Sequence, residues 1–176
     1  IAEARRVQPR IGVRGYISTA FGCPFEGKVA PRQPLKVAEK LLAMGCDQIS
    51  IGDTIGVATP GDVEAVIAPA LARFGVERAA VHFHDTRGTA LANALRSLEL
   101  GARVFDSSAG GLGGCPFAPG ATGNLATEDL VYMMHGLGVR TGIDLEALCK
   151  TSLKFSRSID REITSRYLTA WSINGY

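Results

Sequence analysis

Ala79-Ala80-Val81-His82-Phe83-His84-Asp85-Thr86 is the stretch on which the fold turns. It opens as a short apolar run, and from Thr89 to Leu100 apolar residues recur at helical spacing. A buried strand that leaves through a polar loop into a helix is one βα unit. Three further strands are predicted at Ile11–Ser18, Gln48–Gly52 and Arg103–Asp106, and two further helical patterns at Pro34–Met44 and Gly61–Phe74. Gly45, Gly75 and Gly101 stand just past the three helices, where a left-handed cap favours glycine. Pro60 and Asp62 mark a helix start. Before the first strand, a short helix-like stretch ends near Pro9.

Strict strand–helix alternation means a parallel sheet. The loops leaving the strands are rich in Gly, Asp, Thr and Ser, whereas those returning from the helices are plain. That asymmetry places the chemistry at the C-terminal ends of the strands. No GxGxxG follows a strand, so a dinucleotide site is not expected. Four βα units are half of a (β/α)8 barrel, which needs about 250 residues. An open sheet of four such strands leaves edges and a face uncovered. The expectation is therefore that residues 1–176 supply about the last four units of one TIM-barrel catalytic domain whose N-terminal half is absent. The alternative is a small complete α/β domain.

Bulk properties agree with an ordinary globular chain: 176 residues, 46% hydrophobic and 20% charged. A net charge of +2 with scattered Lys and Arg speaks against a nucleic-acid partner. No apolar run approaches the ~20 residues that cross a bilayer, and no membrane partner is expected. The opening residues Ile1 to Arg6 lack the apolar core of a signal peptide. Cys23, Cys46, Cys115 and Cys149 form no CxxC pair, so a reducing cytoplasm is the expected location.

His82 and His84 lie two apart in a strand and project from one face, while Phe83 projects from the other. A lone histidine would read as a satisfied core residue. Two at strand spacing, at a strand's C-terminal end, read as ligands of one cation. An octahedral ion such as Mg2+ or Mn2+ also takes oxygen donors. Asp53, Asn124 and Glu128 are the oxygen candidates. Each has a plain alternative: Asp53 as a turn cap, Glu128 as a first-turn helix carboxylate, and Asn124 as the cap of a helix beginning at Leu125.

After the fourth strand comes Gly110-Gly111-Leu112-Gly113-Gly114-Cys115-Pro116. Four glycines in five residues allow close approach to a ligand. A cysteine carried there reads as an acid or base delivered by a closing loop. Cys23, in Gly22-Cys23-Pro24-Phe25, lacks the glycine run and ranks well behind it.

With these motifs in view, the chain resembles the 3-hydroxy-3-methylglutaryl-CoA lyases. The resemblance runs from about Arg14 to Cys149 through RGYIS (14–18), GCPFEGKV (22–29), ISIGDTIGVATP (49–60) and VHFHDT (81–86). The segment DSSAGGLGGCPFAPGATGNLATEDLVYM (106–133) completes it. HxH followed by Asp marks the wider barrel superfamily; GGLGGCP followed by GNLATEDL is far more specific to the lyase.

The resemblance implies a metal-dependent carbon–carbon lyase that cleaves 3-hydroxy-3-methylglutaryl-CoA to acetyl-CoA and acetoacetate, in leucine degradation and ketone-body formation. It implies His82, His84 and Asn124 as ligands of Mg2+ or Mn2+, Cys115 as the catalytic acid/base, and a proton-transfer role for His82. Asp53 and Glu128 match acidic positions near the site, and Tyr16, Ser50 and Thr54 positions near substrate. It also implies an acyl-CoA substrate, a homodimer in the full-length protein, and an arginine and metal-binding aspartate from a first barrel strand outside this chain. Two other readings are carried: a condensing relative such as isopropylmalate or homocitrate synthase, and a half barrel that binds metal without turnover.

Overall fold

The computed structural model describes residues 1–114, 123–160 and 163–174. Helix α1 (Ala2–Val7) precedes strand β1 (Arg14–Ile17), and a small hairpin follows, made of β2 (Gly22–Cys23) and β3 (Gly27–Lys28). The chain then alternates: α2 (Arg32–Ala43), β4 (Gln48–Asp53), α3 (Pro60–Phe74), β5 (Ala79–Phe83), α4 (Ala90–Glu99) and β6 (Val104–Asp106). A 3-10 turn over Ala109–Gly111 leads on towards α5 (Thr127–Gly136), α6 (Leu145–Ile159) and α7 (Arg166–Asn174).

The four predicted strands pair in parallel in the order β1-β4-β5-β6. Helix-length crossovers join successive parallel strands, and each strand pairs with the next one in the sheet, as in a barrel wall. Register puts Arg14, Tyr16, Ser50, Gly52, Ala80, His82 and Asp106 on one face. The other face carries Ile17, Ile49, Ile51, Val81 and Phe83, which join Val63, Ile67 and Ala94 from the helices in the core. The apolar half of each strand thus holds the helical layer, and the polar half is left for chemistry.

That polar face is concave. The outermost strands β1 and β6 are separated by two others, so in a flat sheet they would lie about 14 Å apart, more than an arginine standing off the sheet can bridge. Yet Arg14 Nη1 lies 2.5 Å from Asp106 Oδ1. The sheet curls as a barrel wall does.

The first strand is shorter than predicted. Ile11 and Gly12 are exposed, and pairing begins only at Arg14 opposite Gln48, the first residue of β4. At its other end Thr19 adopts φ +55, which ends the extension. Asp62 closes a capping box with Thr59, and Pro60 occupies the first turn of α3, as the sequence suggested. The hairpin, α6 and α7 were not predicted.

Candidate active site

His82 and His84 stand on the polar face at the C-terminal end of β5, their ring centroids 5.2 Å apart. Phe83 turns the other way into the core, its ring 6.2 Å from that of Phe21. Strand alternation alone achieves this.

Asn124 arrives by a route that the sequence did not reveal. Residues 123–126 run back along the end of the sheet, between β5 and β6. Leu125 N donates to Phe83 O and Asp85 N to Gly123 O, which sets His84 opposite Asn124 in an antiparallel bridge. On the other side, Ser108 N donates to Leu125 O and Thr127 N to Ser108 O. Asn124 is not a helix cap, because α5 starts at Thr127 with Ala126 in the cap position. Its Nδ2 instead donates to Leu112 O at 2.9 Å, tying it to the glycine loop. Gly113 has φ +95, and a Cβ there would stand 2.9 Å from Asn124 Nδ2, so glycine lets the loop pass this close.

Three buried atoms here lack a hydrogen-bond partner: Nδ1 of His82, Nδ1 of His84 and Oδ1 of Asn124. Unmet buried polar groups are rare and call for a ligand or another explanation. Among the described residues, no three His, Cys, Asp or Glu side chains gather into a metal-holding group. A cation here therefore needs the amide oxygen as well as the two imidazoles, a mixed N/O donor set that a divalent ion can take. Burial pushes the His82 pKa down, against the charges of Asp106 and Asp53. Burial, with His82 beside it, takes His84 down to about 4. Both rings are thus neutral at pH 7, as a ligand must be.

The other candidates separate. The carboxylate of Asp53 is fully buried and accepts from Val57 N at 3.0 Å and Ala58 N at 2.9 Å, so it shapes the β4–α3 turn. Its pKa is raised by burial. Glu128 lies in the first turn of α5, fully buried, and both its oxygens accept from Gly110 N at 3.0 and 2.9 Å. It anchors the base of the glycine loop. Thr54 Oγ1 accepts from Thr19 N, and Ser50 donates to Asp106 Oδ2 at 2.7 Å. Tyr16 is 63% exposed at the mouth. Cys115 lies outside the described residues.

A cavity of about 510 Å3 runs along this face, with Tyr16, His82, Asp106, Ser108, Asn124 and Thr127 among its walls. Asp106 and Arg14 were not among the sequence candidates. Their ion pair joins the two edge strands, so nothing in the local spacing of either residue signals it.

The HMGL-like family profile matches residues 3–154. The chain belongs to the HMGL-like family. The mitochondrial hydroxymethylglutaryl-CoA lyase of Mus musculus is 51% identical to this HMGL-like chain over 160 residues, which cover 91% of the chain and 49% of the relative. The crystal structure of hydroxymethylglutaryl-CoA lyase from Pseudomonas aeruginosa superposes with a TM-score of 0.92 at 47% identity, over 98% of this chain and 57% of that one. An HMG-CoA lyase from Acinetobacter baumannii, solved with coenzyme A and 3-methylmalate, gives 0.88 at 42% identity, over 94% and 54%. The chain thus spans about half the length of the curated relatives it matches. Its curled sheet and helical layer supply about four of the eight βα units of a TIM barrel.

Proposed function

We propose that this chain carries the cation-binding portion of a 3-hydroxy-3-methylglutaryl-CoA lyase, which cleaves its acyl-CoA substrate to acetyl-CoA and acetoacetate. The observation that carries the reading is the meeting of His82, His84 and Asn124 at the foot of the loop that leads to Cys115, with buried unpartnered atoms on His84 and Asn124 left for a ligand. The resemblance of residues 106–133 to the lyases, and relatives of that name near 50% identity, support the substrate and reaction.

His82, His84 and Asn124 would hold a divalent cation, Mg2+ or Mn2+, which supplies Lewis acidity to a substrate hydroxyl. His82, neutral at working pH, takes the C3 hydroxyl proton. As the C2–C3 bond breaks, its electron pair stays on the thioester fragment as an enolate and the other fragment becomes acetoacetate. The Cys115 thiol gives its proton to the enolate carbon. Glu128 holds Gly110, the start of the cysteine loop, and Asn124, a proposed cation ligand, holds Leu112 within it. Tyr16, exposed at the mouth, meets the acyl chain, while Ser50 and Thr54 spend their hydroxyls on protein partners.

The test uses protein carrying the whole barrel. Cys115→Ala is expected to abolish acetoacetate release while Mn2+ remains bound. Loss of Mn2+ with the cysteine would show the division of roles to be wrong, and undiminished acetoacetate release would remove Cys115 from the chemistry.

A further inference from the structure

His82 differs from the other two unpartnered residues because a carboxylate faces its orphaned nitrogen. Asp106 Oδ2 lies 4.0 Å from His82 Nδ1, about 1 Å beyond hydrogen-bond range. Register explains the approach: His82 and Asp106 are opposite one another on β5 and β6 and project from the same face. The carboxylate is itself fixed, Oδ1 by Arg14 at 2.5 Å and Oδ2 by the Ser50 hydroxyl at 2.7 Å. It is mostly buried, at 18% exposure, so its charge is felt across a short, poorly solvated gap. An imidazole that offers one nitrogen to a cation is commonly oriented through the other by a carboxylate.

We propose that Asp106 is a positioning residue for His82: its carboxylate, held by Arg14 and Ser50, selects the Nδ1–H tautomer and leaves Nε2 as the nitrogen presented to cation and substrate. The tautomer claim stands on geometry alone; what Nε2 is presented to rests on the lyase reading. The arrangement explains why an Arg–Asp pair spans the polar face beneath the histidines. It also gives His82, but not His84, a fixed charge partner on the neighbouring strand.

The substitution Asp106→Asn makes the idea testable without changing shape. Arg14 needs an oxygen at the Oδ1 position, so the amide nitrogen falls on the side of Ser50 and His82. There a donor opposes Nδ1–H and favours Nε2–H. In metal-free protein carrying the whole barrel, long-range 1H–15N correlations of the imidazole rings should show His82 as Nδ1–H, and as Nε2–H in the variant. Mn2+ affinity should fall by about tenfold or more in the variant. A wild-type His82 protonated at Nε2 overturns the proposal, and that arm needs no variant to fold. Retention of Nδ1–H in Asp106→Asn, or an unchanged Mn2+ affinity, overturns it as well. A wild-type protein that binds no Mn2+ overturns the cation reading instead, and leaves the tautomer result to decide the role of Asp106.

Discussion

Burial gives His84 a charge behaviour that can be measured directly. Its pKa is lowered to about 4, first by desolvation and then by His82. In the unfolded chain the same ring titrates near 6.5. Between those values the unfolded state binds a proton that the folded state refuses, so stability falls as pH drops from about 6.5 to about 4 and this loss levels off below. Urea midpoints of the metal-free protein should follow that course, and His84→Gln should flatten it. A wild-type midpoint unchanged across the window would mean that His84 is not held neutral by its surroundings. At this scale the sequence was a good guide to both histidines, because strand alternation fixes where residues two apart must point. It was a poorer guide to Asp53, whose two readings, ligand and turn cap, differ only in where Val57 N and Ala58 N fall.

The β4–α3 connection shows what a buried carboxylate does for an element. Asp53 replaces water for two backbone donors that the turn would otherwise bury unmet. Asp53→Ala should cost about 2–4 kcal/mol, from two charge-assisted hydrogen bonds and the donors left behind. Chemical denaturation reads this as a lower midpoint, and a loss below about 0.5 kcal/mol would show that the turn holds without it. The helices α2, α3 and α4 were legible because each lays a periodic apolar stripe on the sheet and ends near a glycine of positive φ. Residues 123–126 were not. They sit between β5 and β6 through backbone hydrogen bonds, and a segment that pairs by main chain leaves no pattern in its side chains. The helix start at Thr127, three residues beyond Asn124, follows from that pairing. The attachment of α7 was equally hidden. Asp129 accepts from Ser165 Oγ, Arg166 N and Tyr167 N, partners about 36 residues away that spacing does not announce.

Across the whole molecule, the barrel character was legible from the count and order of βα units, and the curl of the sheet gives it physical form. Of the three proposed cation ligands, spacing alone pointed to the two histidines, while Asn124 came from the family resemblance, because its placement depends on a non-local bridge to His84. Whether His82, His84 and Asn124 form one site decides the cation reading. Mn2+ titration of protein carrying the whole barrel and of its variants, followed by EPR of the free ion, tests it most directly. One Mn2+ per chain is predicted, with affinity falling at least about tenfold in both His84→Ala and Asn124→Ala; two variants that bind like the wild type would contradict it.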